Sequence, residues 1–271
     1  MNKLKSLATE HSLAFGFIVT FAFILMLIVS SVLGALWPGG ESYGQPGGIV
    51  GRLISITLLL AVLSRLGWLR SAGLTWLGRW QTWLIGLLPL AYSIAVSAYA
   101  LTGSFDFNIS DTILTRLVTL FILTAALMEE VVFRGLIMHA FVRVWGNTNR
   151  GLIKSVLVSS LLFSGLHILD LLSGRPLPNV LLQSVEAFLL GTFLAALVLS
   201  GKSIYPAIFF HGLLNLAGYL SSKGLEPSPS SFLLLSLLIL PLAIFGMYLI
   251  LTIPRGSSPM KTEFSKDIPN P

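Results

Sequence analysis

Charged residues are scarce in this sequence and cysteine is absent. Only 10% of the 271 residues are Asp, Glu, Lys or Arg, whereas 55% are hydrophobic. A soluble domain usually carries about 25% charged residues, so this chain could not cover a water-facing surface with polar groups. We therefore expect lipid to be the solvent for much of it. The lack of cysteine excludes a disulfide framework, a thiol nucleophile and a thiolate metal site.

The sequence also lacks a basic stripe, an internal repeat and a clear cleavage signal. Its net charge is +6, but Lys and Arg lie singly at the ends of apolar runs. This placement is typical of membrane topology and predicts no nucleic-acid partner. No small-x-small site precedes Trp37, so the first apolar run is predicted to be an uncleaved span and not a signal peptide.

Eight apolar runs are long enough to cross the hydrocarbon core as helices, which need about 20 residues. The sequence therefore predicts an all-α, polytopic transmembrane helix bundle of about eight spans, with residues 1–271 forming a single membrane domain. The fourth run exceeds one crossing and should project beyond the bilayer. The runs cover residues 13–36, 49–66, 82–101, 112–142, 151–169, 177–199, 203–221 and 231–253.

Basic residues mark every second connection, which predicts that these connections and both termini are cytoplasmic. The stretch from Trp68 to Trp83 lies in one of them and contains four tryptophans. It is predicted to be an interfacial segment or an aromatic-belt loop. Residues 254–271 are predicted to be a disordered cytoplasmic tail, and Arg52 is assigned to a loop on the opposite side. The basic residues are Lys3, Lys5, Arg65, Arg70, Arg79, Arg143, Arg150, Lys154, Lys202, Arg255, Lys261 and Lys266.

Three ionisable residues, Glu129, Glu130 and Arg134, lie inside the fourth apolar run. Each such residue costs roughly 2.5–3.5 kcal/mol at the bilayer centre, so partners are needed. Glu130 and Arg134 are four residues apart and should form an ion pair on one helix face. Glu129 points about 100° away, which leaves it available for chemistry or for a structural pairing with another helix.

The fifth and seventh runs each add a polar pair at helical spacing. Phe163 lies four residues before His167, and His211 lies four residues before Asn215. Such residues can simply hydrogen-bond between helices. However, at about 1.5 Å per residue, Glu129, His167 and Asn215 all lie about 20 Å from the basic end of their helices. We therefore expect them to meet in one layer of a wetted pocket.

These three motifs resemble those of the CPBP family, also called Abi, which includes type II CAAX prenyl endopeptidases and bacteriocin-processing or immunity enzymes. The resemblance is carried by EEVVFRGLI and by GKSIYPAIFFHGLLN together with the Phe163–His167 motif, and it covers residues 112–220. It implies that this region is the catalytic core of an intramembrane endopeptidase. The substrate would be a membrane-associated or lipid-modified protein or peptide of the CAAX, bacteriocin or pheromone type.

The resemblance also implies a role for each motif residue. A carboxylate assisted by a histidine would activate the attacking water, an ion pair would orient that carboxylate, and a histidine with an asparagine would stabilise the oxyanion. In that order the residues are Glu129 with His167, Glu130 with Arg134, and His211 with Asn215. Phe163 and Phe133 are the candidates for substrate contact.

No cofactor is predicted, although the family has also been described as metallopeptidases. If a zinc ion were bound, Glu129, His167 and His211 would be its ligands, but the histidines lack an HExxH spacing. Two functions from other classes stay open. One is a non-catalytic membrane scaffold or immunity factor, and the other is a small transporter or proton relay.

Overall fold

The structure is a computed structural model that describes residues 2–36, 46–87, 91, 112–222 and 229–252. Within these ranges the chain is helical with connecting turns and has no strand, which confirms the predicted all-α class. Most of the third predicted span, 82–101, and the predicted tail, 254–271, lie outside the described residues.

The nine α-helices numbered below follow one another along the described chain, residues 80–87 are helical as well, and two further segments have a different helical geometry. A π-helix, Val131–Met138, continues α4 directly into α5, and a 3₁₀-helix, Leu166–Ser173, follows α6. Pro206 lies in the first turn of α8, where its missing N–H has no helical partner to lose. The helices are α1 Asn2–Glu10, α2 Ser12–Ala35, α3 Pro46–Leu66, α4 Thr112–Glu130, α5 His139–Trp145, α6 Asn149–Gly165, α7 Leu177–Gly201, α8 Tyr205–Ser222 and α9 Pro229–Thr252.

Four helical stretches in the described chain are long and apolar enough to cross a membrane: Ser12–Ala35, Pro46–Leu66, Asn149–Ser173 and Leu177–Gly201. Much of their side-chain surface faces outward and is apolar, as on the outer side of α2, where Phe17 and Phe21 are exposed. The helical bounds agree closely with the predicted runs. The count of about eight spans stays a prediction.

Arg52 corrects one sequence prediction. It was assigned to a loop, but the structure places it inside α3, six residues after that helix begins at Pro46. The glycine-rich start PGGIVG reads as a loop in the sequence, yet in the structure these residues are helical. Gly48 and Gly51 face α2, where Gly34 and Ser30 allow the two helices to approach closely.

Trp68 contacts residues near several of the basic connections at one end of the bundle. Its ring is buried, lies 4.9 Å from the ring of His139 and 6.1 Å from that of Phe15, and has the Arg143 guanidinium 5.5 Å above it. The Ser71 hydroxyl adds a 3.1 Å hydrogen bond to His139. The connections after α3 and α5 therefore lie next to each other.

Residues 67–79 also bind the turn between α7 and α8. The Ile204 amide donates to the Gly73 carbonyl at 3.2 Å, and the Trp76 indole donates to the Lys202 carbonyl at 2.8 Å. Ser203 in turn donates to the Trp76 carbonyl at 2.9 Å. The contacts agree with the predicted grouping of these basic connections at one end. That this end faces the cytoplasm stays a prediction.

Candidate active site

Glu130 and Arg134 form the buried ion pair that the sequence predicts. The Arg134 Nη1 donates to Glu130 Oε1 at 2.9 Å, and the two side chains are 1% and 0% exposed. Glu130 ends α4 and Arg134 lies in the π-helix. The turn of a π-helix is wider than that of an α-helix, and the pair still closes across it.

A second helix completes the surroundings of Arg134. Its Nη2 donates to the Gly191 carbonyl of α7 at 3.1 Å, and its guanidinium carbon lies 4.8 Å from the centre of the Phe163 ring. A Cβ atom on Gly191 would be only 3.2 Å from Nη2 and from Phe163 Cδ1. The absence of a side chain at Gly191 therefore lets α7 approach the arginine.

His211 of α8 lies between the two glutamates. Its Nδ1 is 2.8 Å from Glu130 Oε1, and its Nε2 is 3.6 Å from Glu129 Oε2. Glu130 Oε1 accepts a hydrogen bond from Arg134, and with Glu130 as the anionic partner of this ion pair the Nδ1–H of His211 is the donor. Glu129 is 22% exposed, whereas Glu130 is fully buried. Glu129 is thus the accessible carboxylate of this cluster.

His167 lies in the 3₁₀-helix after α6 and is held by residues outside the predicted set. Its Nδ1 is 3.1 Å from Gln183 Nε2, and Gln183 Oε1 accepts a hydrogen bond from Arg175 Nη1 at 2.5 Å. Arg175 Nη1 also donates to Asp170 at 2.7 Å. The arginine fixes the orientation of the amide of Gln183, so its NH₂ group must donate to Nδ1 of His167. In a neutral ring the proton is then on Nε2.

The ring of Phe163 contacts both histidines. It meets both rings edge-on, with centroids 5.8 Å from His167 and 5.7 Å from His211. Phe133 packs behind it at 5.3 Å and against Phe23 at 5.6 Å. Phe163 and Phe133 are both buried, so the structure shows them as walls of the cluster. Their contact with substrate stays a prediction.

The structure brings most of the predicted site residues together, with two departures from close contact. Asn215 is exposed, and within the described chain no hydrogen bond joins it to its partner in the motif, His211. His167 turns its Nδ1 toward Gln183 and Asp170 and makes no direct contact with Glu129. The close cluster consists of Glu129, Glu130, Arg134, His211 and Phe163.

The three residues considered as zinc ligands do not converge. Glu129 approaches His211, but the Nδ1 of His167 is turned to Gln183. In the part of the chain that the structure describes, no group of three or more His, Asp or Glu side chains is placed to hold a metal ion. The described arrangement does not fit a zinc ion held by these three residues.

Comparison with known families identifies this region of the chain. Residues 111–217 match the family model of type II CAAX prenyl endopeptidase, Rce1-like proteins. The chain carries an Rce1-like domain. The family prediction made from the three motifs is thereby confirmed. No curated protein sequence and no solved structure matches the chain significantly.

The Rce1-like domain contains the whole cluster, from Glu129 to Asn215. Rce1-like proteins form a protease family of CAAX type, which supports peptidase activity for this chain. Together with the four long apolar helices, the match makes the chain an integral membrane protein. The family match and the apolar helices therefore indicate the lipid bilayer and a membrane-associated substrate as partners.

Four residues next to this cluster were not predicted from the sequence as site residues. Gln183, Arg175 and Gly191 hold His167 and Arg134, and Arg52 lies on the neighbouring α3 within electrostatic reach of Glu129. Gln183 is a polar residue inside an apolar run, and Arg52 is a charged one. Both could have been found by asking why such residues lie in a membrane span.

Proposed function

We propose that this protein is an intramembrane endopeptidase that hydrolyses a peptide bond of a membrane-associated or lipid-modified protein, with Glu129 as the general base. The observation that carries the proposal is the contrast between two neighbouring carboxylates. Glu130 is fully buried and its Oε1 is held by Arg134 and His211, while Glu129 is partly exposed next to the same histidine. One carboxylate is thus structural and the other is free to react.

In the proposed reaction Glu129 takes a proton from water, and the water oxygen attacks the carbonyl carbon of the scissile bond. His167 offers its Nε2–H to hold the water. Asn215 offers its side-chain N–H to the oxyanion, and His211 offers Nε2–H when it carries a second proton besides the one on Nδ1; fixed donors of this kind stabilise an oxyanion strongly. The C–N bond then breaks, and Glu129 returns the proton to the leaving amine. Glu130 and Arg134 hold His211 in place throughout.

The proposed setting is a bundle of about eight spans with both termini in the cytoplasm. Counted at the α-helical rise along α4, the π-helix and α5, Glu129 is at most about 21 Å from Arg143, and this depth puts the reaction below the lipid surface. Water then has to reach Glu129 through a polar opening in the bundle. Substrates that carry a prenyl chain are favoured, because the lipid anchor would bring the peptide to this depth.

A conservative substitution tests the proposed base. Glu129→Gln keeps the size of the side chain but removes the proton acceptor, and loss of general base catalysis typically costs 10²–10⁴-fold. We expect kcat/KM to fall by about that factor on a fluorogenic, S-prenylated peptide with the prenyl-cysteine fourth from its C-terminus. Hydrolysis is measured with the full-length protein in proteoliposomes, and thermal melting in detergent serves as the folding control.

The same experiment separates the proposal from its alternatives. A scaffold would show no hydrolysis by the wild type, and the substitution would alter only abundance or melting temperature. Hydrolysis by Glu129→Gln at the wild-type rate would remove Glu129 from the mechanism. We also propose that no metal is needed, because the ligand candidates do not converge. A chelator added to the assay should leave the rate unchanged.

A further inference from the structure

Arg52 is a charged side chain inside a membrane-spanning helix that the proposed mechanism does not use. It lies on α3, which is long and apolar enough to cross the bilayer. A cation in such a helix is costly unless its N–H groups and its charge are compensated. The contacts and charges around Arg52 therefore indicate its function.

The protein satisfies little of the hydrogen-bonding capacity of Arg52. Nη1 donates to the Phe121 carbonyl of α4 at 2.6 Å, and the guanidinium stacks on the Phe121 ring at 3.4 Å. Nε is buried and has no acceptor in the described chain. A guanidinium has five N–H donors in a rigid fork, so Arg52 keeps most of its capacity for another partner.

The positive charge of Arg52 is also not neutralised by a contacting carboxylate in the described chain. Arg134 makes an ion pair with Glu130, but in the described ranges no ion pair involves Arg52. The nearest negative charge acting on it is Glu129, which attracts it without contact. The vicinity of Glu129 therefore contains a half-buried cation that can accept an anionic ligand.

The distance to Glu129 suggests which anion would fit. Phe121 and Glu129 are eight residues apart on α4, about 12 Å along the axis. Glutamate side chains in helices lean toward the N-terminus, which shortens the separation between the two charged groups. Extended peptide advances about 3.3–3.6 Å per residue. The guanidinium thus lies about two or three residues of extended peptide away from the proposed base.

We propose that Arg52 is a subsite for the C-terminal carboxylate of the substrate, which it binds when the scissile bond lies next to Glu129. The proposal rests on the peptidase function and deepens it. Guanidinium groups bind carboxylates through two parallel hydrogen bonds, and this preference would select chain ends over internal peptide segments. It would also set the number of residues released beyond the cut.

The test compares two forms of the S-prenylated peptide described above that differ only at the terminus, one a free carboxylate and the other a carboxamide. We expect the wild type to have a kcat/KM about 10- to 100-fold higher on the acid, the range of one charge-assisted hydrogen bond or two. Arg52→Gln should bring the rate on the acid down to that on the amide. Arg52→Lys, which keeps the charge without the fork, should be intermediate.

Arg65→Gln is the matched control, because Arg65 is exposed in the last turn of the same helix. It should keep the preference for the acid. Equal wild-type rates on acid and amide would overturn the subsite and leave the peptidase function standing. So would an equal loss on both peptides in Arg52→Gln, the pattern expected of an arginine that binds lipid phosphate or only supports folding.

A binding measurement separates failure of the subsite from failure of the peptidase function. Both peptides are titrated against Glu129→Gln, with and without Arg52→Gln. If the wild type cleaves neither peptide but the acid binds tighter in an Arg52-dependent way, the subsite stands and the catalytic proposal fails. If there is no preference in binding, the subsite is refuted. Should Arg52→Gln not fold, the acid and amide comparison on the wild type decides.

Discussion

At the scale of residues, the structure gives two adjacent glutamates different environments. Glu130 has no exposed surface and accepts hydrogen bonds from Arg134 and His211. Glu129 is partly exposed and approaches His211 without a hydrogen bond. A buried charge needs such pairing to be tolerated, and here the pairing of one carboxylate also fixes the histidine that faces the other.

Gln183 is predicted to set the tautomer of His167. Gln183→Leu removes the donor to Nδ1, so the proton should no longer be confined to Nε2. We expect kcat/KM to fall about tenfold, the effect of one lost hydrogen bond of about 1.4 kcal/mol. Nitrogen-15 spectra of histidine-labelled protein report which ring nitrogen is protonated.

The chain has four histidines, so His167→Gln assigns the relevant signals by their disappearance. Gln81→Leu, an exposed glutamine, controls for the substitution itself and should leave spectrum and rate unchanged. A wild-type His167 that carries its proton on Nδ1 would contradict the hydrogen-bond assignment.

Two of the three pairs predicted from a spacing of one helical turn are in contact, whereas no hydrogen bond joins His211 and Asn215 in the described chain. The Glu130–Arg134 ion pair and the Phe163–His167 contact follow from a spacing of four residues. The contacts of His211 with both glutamates do not, because they join residues about 80 positions apart whose relative placement depends on helix packing. Gln183 was not predicted as a site residue for the same reason, because its contact with His167 also depends on helix packing.

At the scale of elements, the π-helix Val131–Met138 is the unusual feature. It follows the two glutamates directly and carries Arg134, and all eight of its residues are buried. π-helical turns are rare and occur frequently at functional sites. Here the π-helix packs against α7 through Gly191, whose carbonyl Arg134 reaches.

Gly191→Ala is expected to destabilise this contact. The new Cβ would meet Arg134 Nη2, Phe163 Cδ1 and Ser160 Cβ at 3.2–3.3 Å, and overpacking of this kind typically costs about 1–3 kcal/mol. Thermal melting in detergent should show a lower midpoint than in the wild type. Hydrolysis should fall as well, because the arginine that supports His211 is displaced.

Gly165→Ala is the matched control, since a Cβ at Gly165 would have no atom within 4 Å and its φ of −61° suits any residue. Its melting temperature should equal or exceed that of the wild type. Equal melting of both variants would show that the close approach at Gly191 is not needed.

The helices themselves were predictable within a few residues at their ends, because long apolar runs in lipid have to be helical. Their local geometry was not. The sequence predicts one uniform helix over residues 112–142 and another over 151–169, whereas the structure changes to a π-helix at Val131 and to a 3₁₀-helix at Leu166. Side-chain periodicity cannot register such changes, which depend on backbone hydrogen bonds.

At the scale of the whole molecule, contacts gather the connections that carry basic residues. α1 packs against α5 and Trp68 against Arg143, and residues 67–79 bind the turn at Lys202. The helical stretch Asn149–Ser173 leads away from this end. At about 1.5 Å per residue it is about 37 Å long, enough to cross the hydrocarbon core.

Single cysteines test this topology, because the natural chain has none. We expect Thr9→Cys and Asn147→Cys to react with a membrane-impermeant maleimide only after cells are permeabilised. Ser173→Cys should react in sealed cells. All three positions are exposed, and the cysteine-free wild type gives the background. Labelling of Asn147→Cys and Ser173→Cys from the same side would contradict a crossing between them.

The sequence predicted the grouping of basic connections because charge placement relative to the membrane leaves a direct trace in it. The role of Arg52 left no such trace. The predicted run 49–66 contains Arg52, but the neighbouring glycines favoured a loop, and the start of α3 at Pro46 shows that Arg52 lies in a helix.

The phenyl ring of Phe163 lies edge-on against the imidazoles of both His167 and His211. A hydrocarbon ring accepts no proton and passes none on, so the two imidazoles have no path for exchange through it. Each can keep the protonation state that its own neighbours impose. The cluster can therefore hold two chemically distinct histidines, one hydrogen-bonded to an amide and the other to a carboxylate.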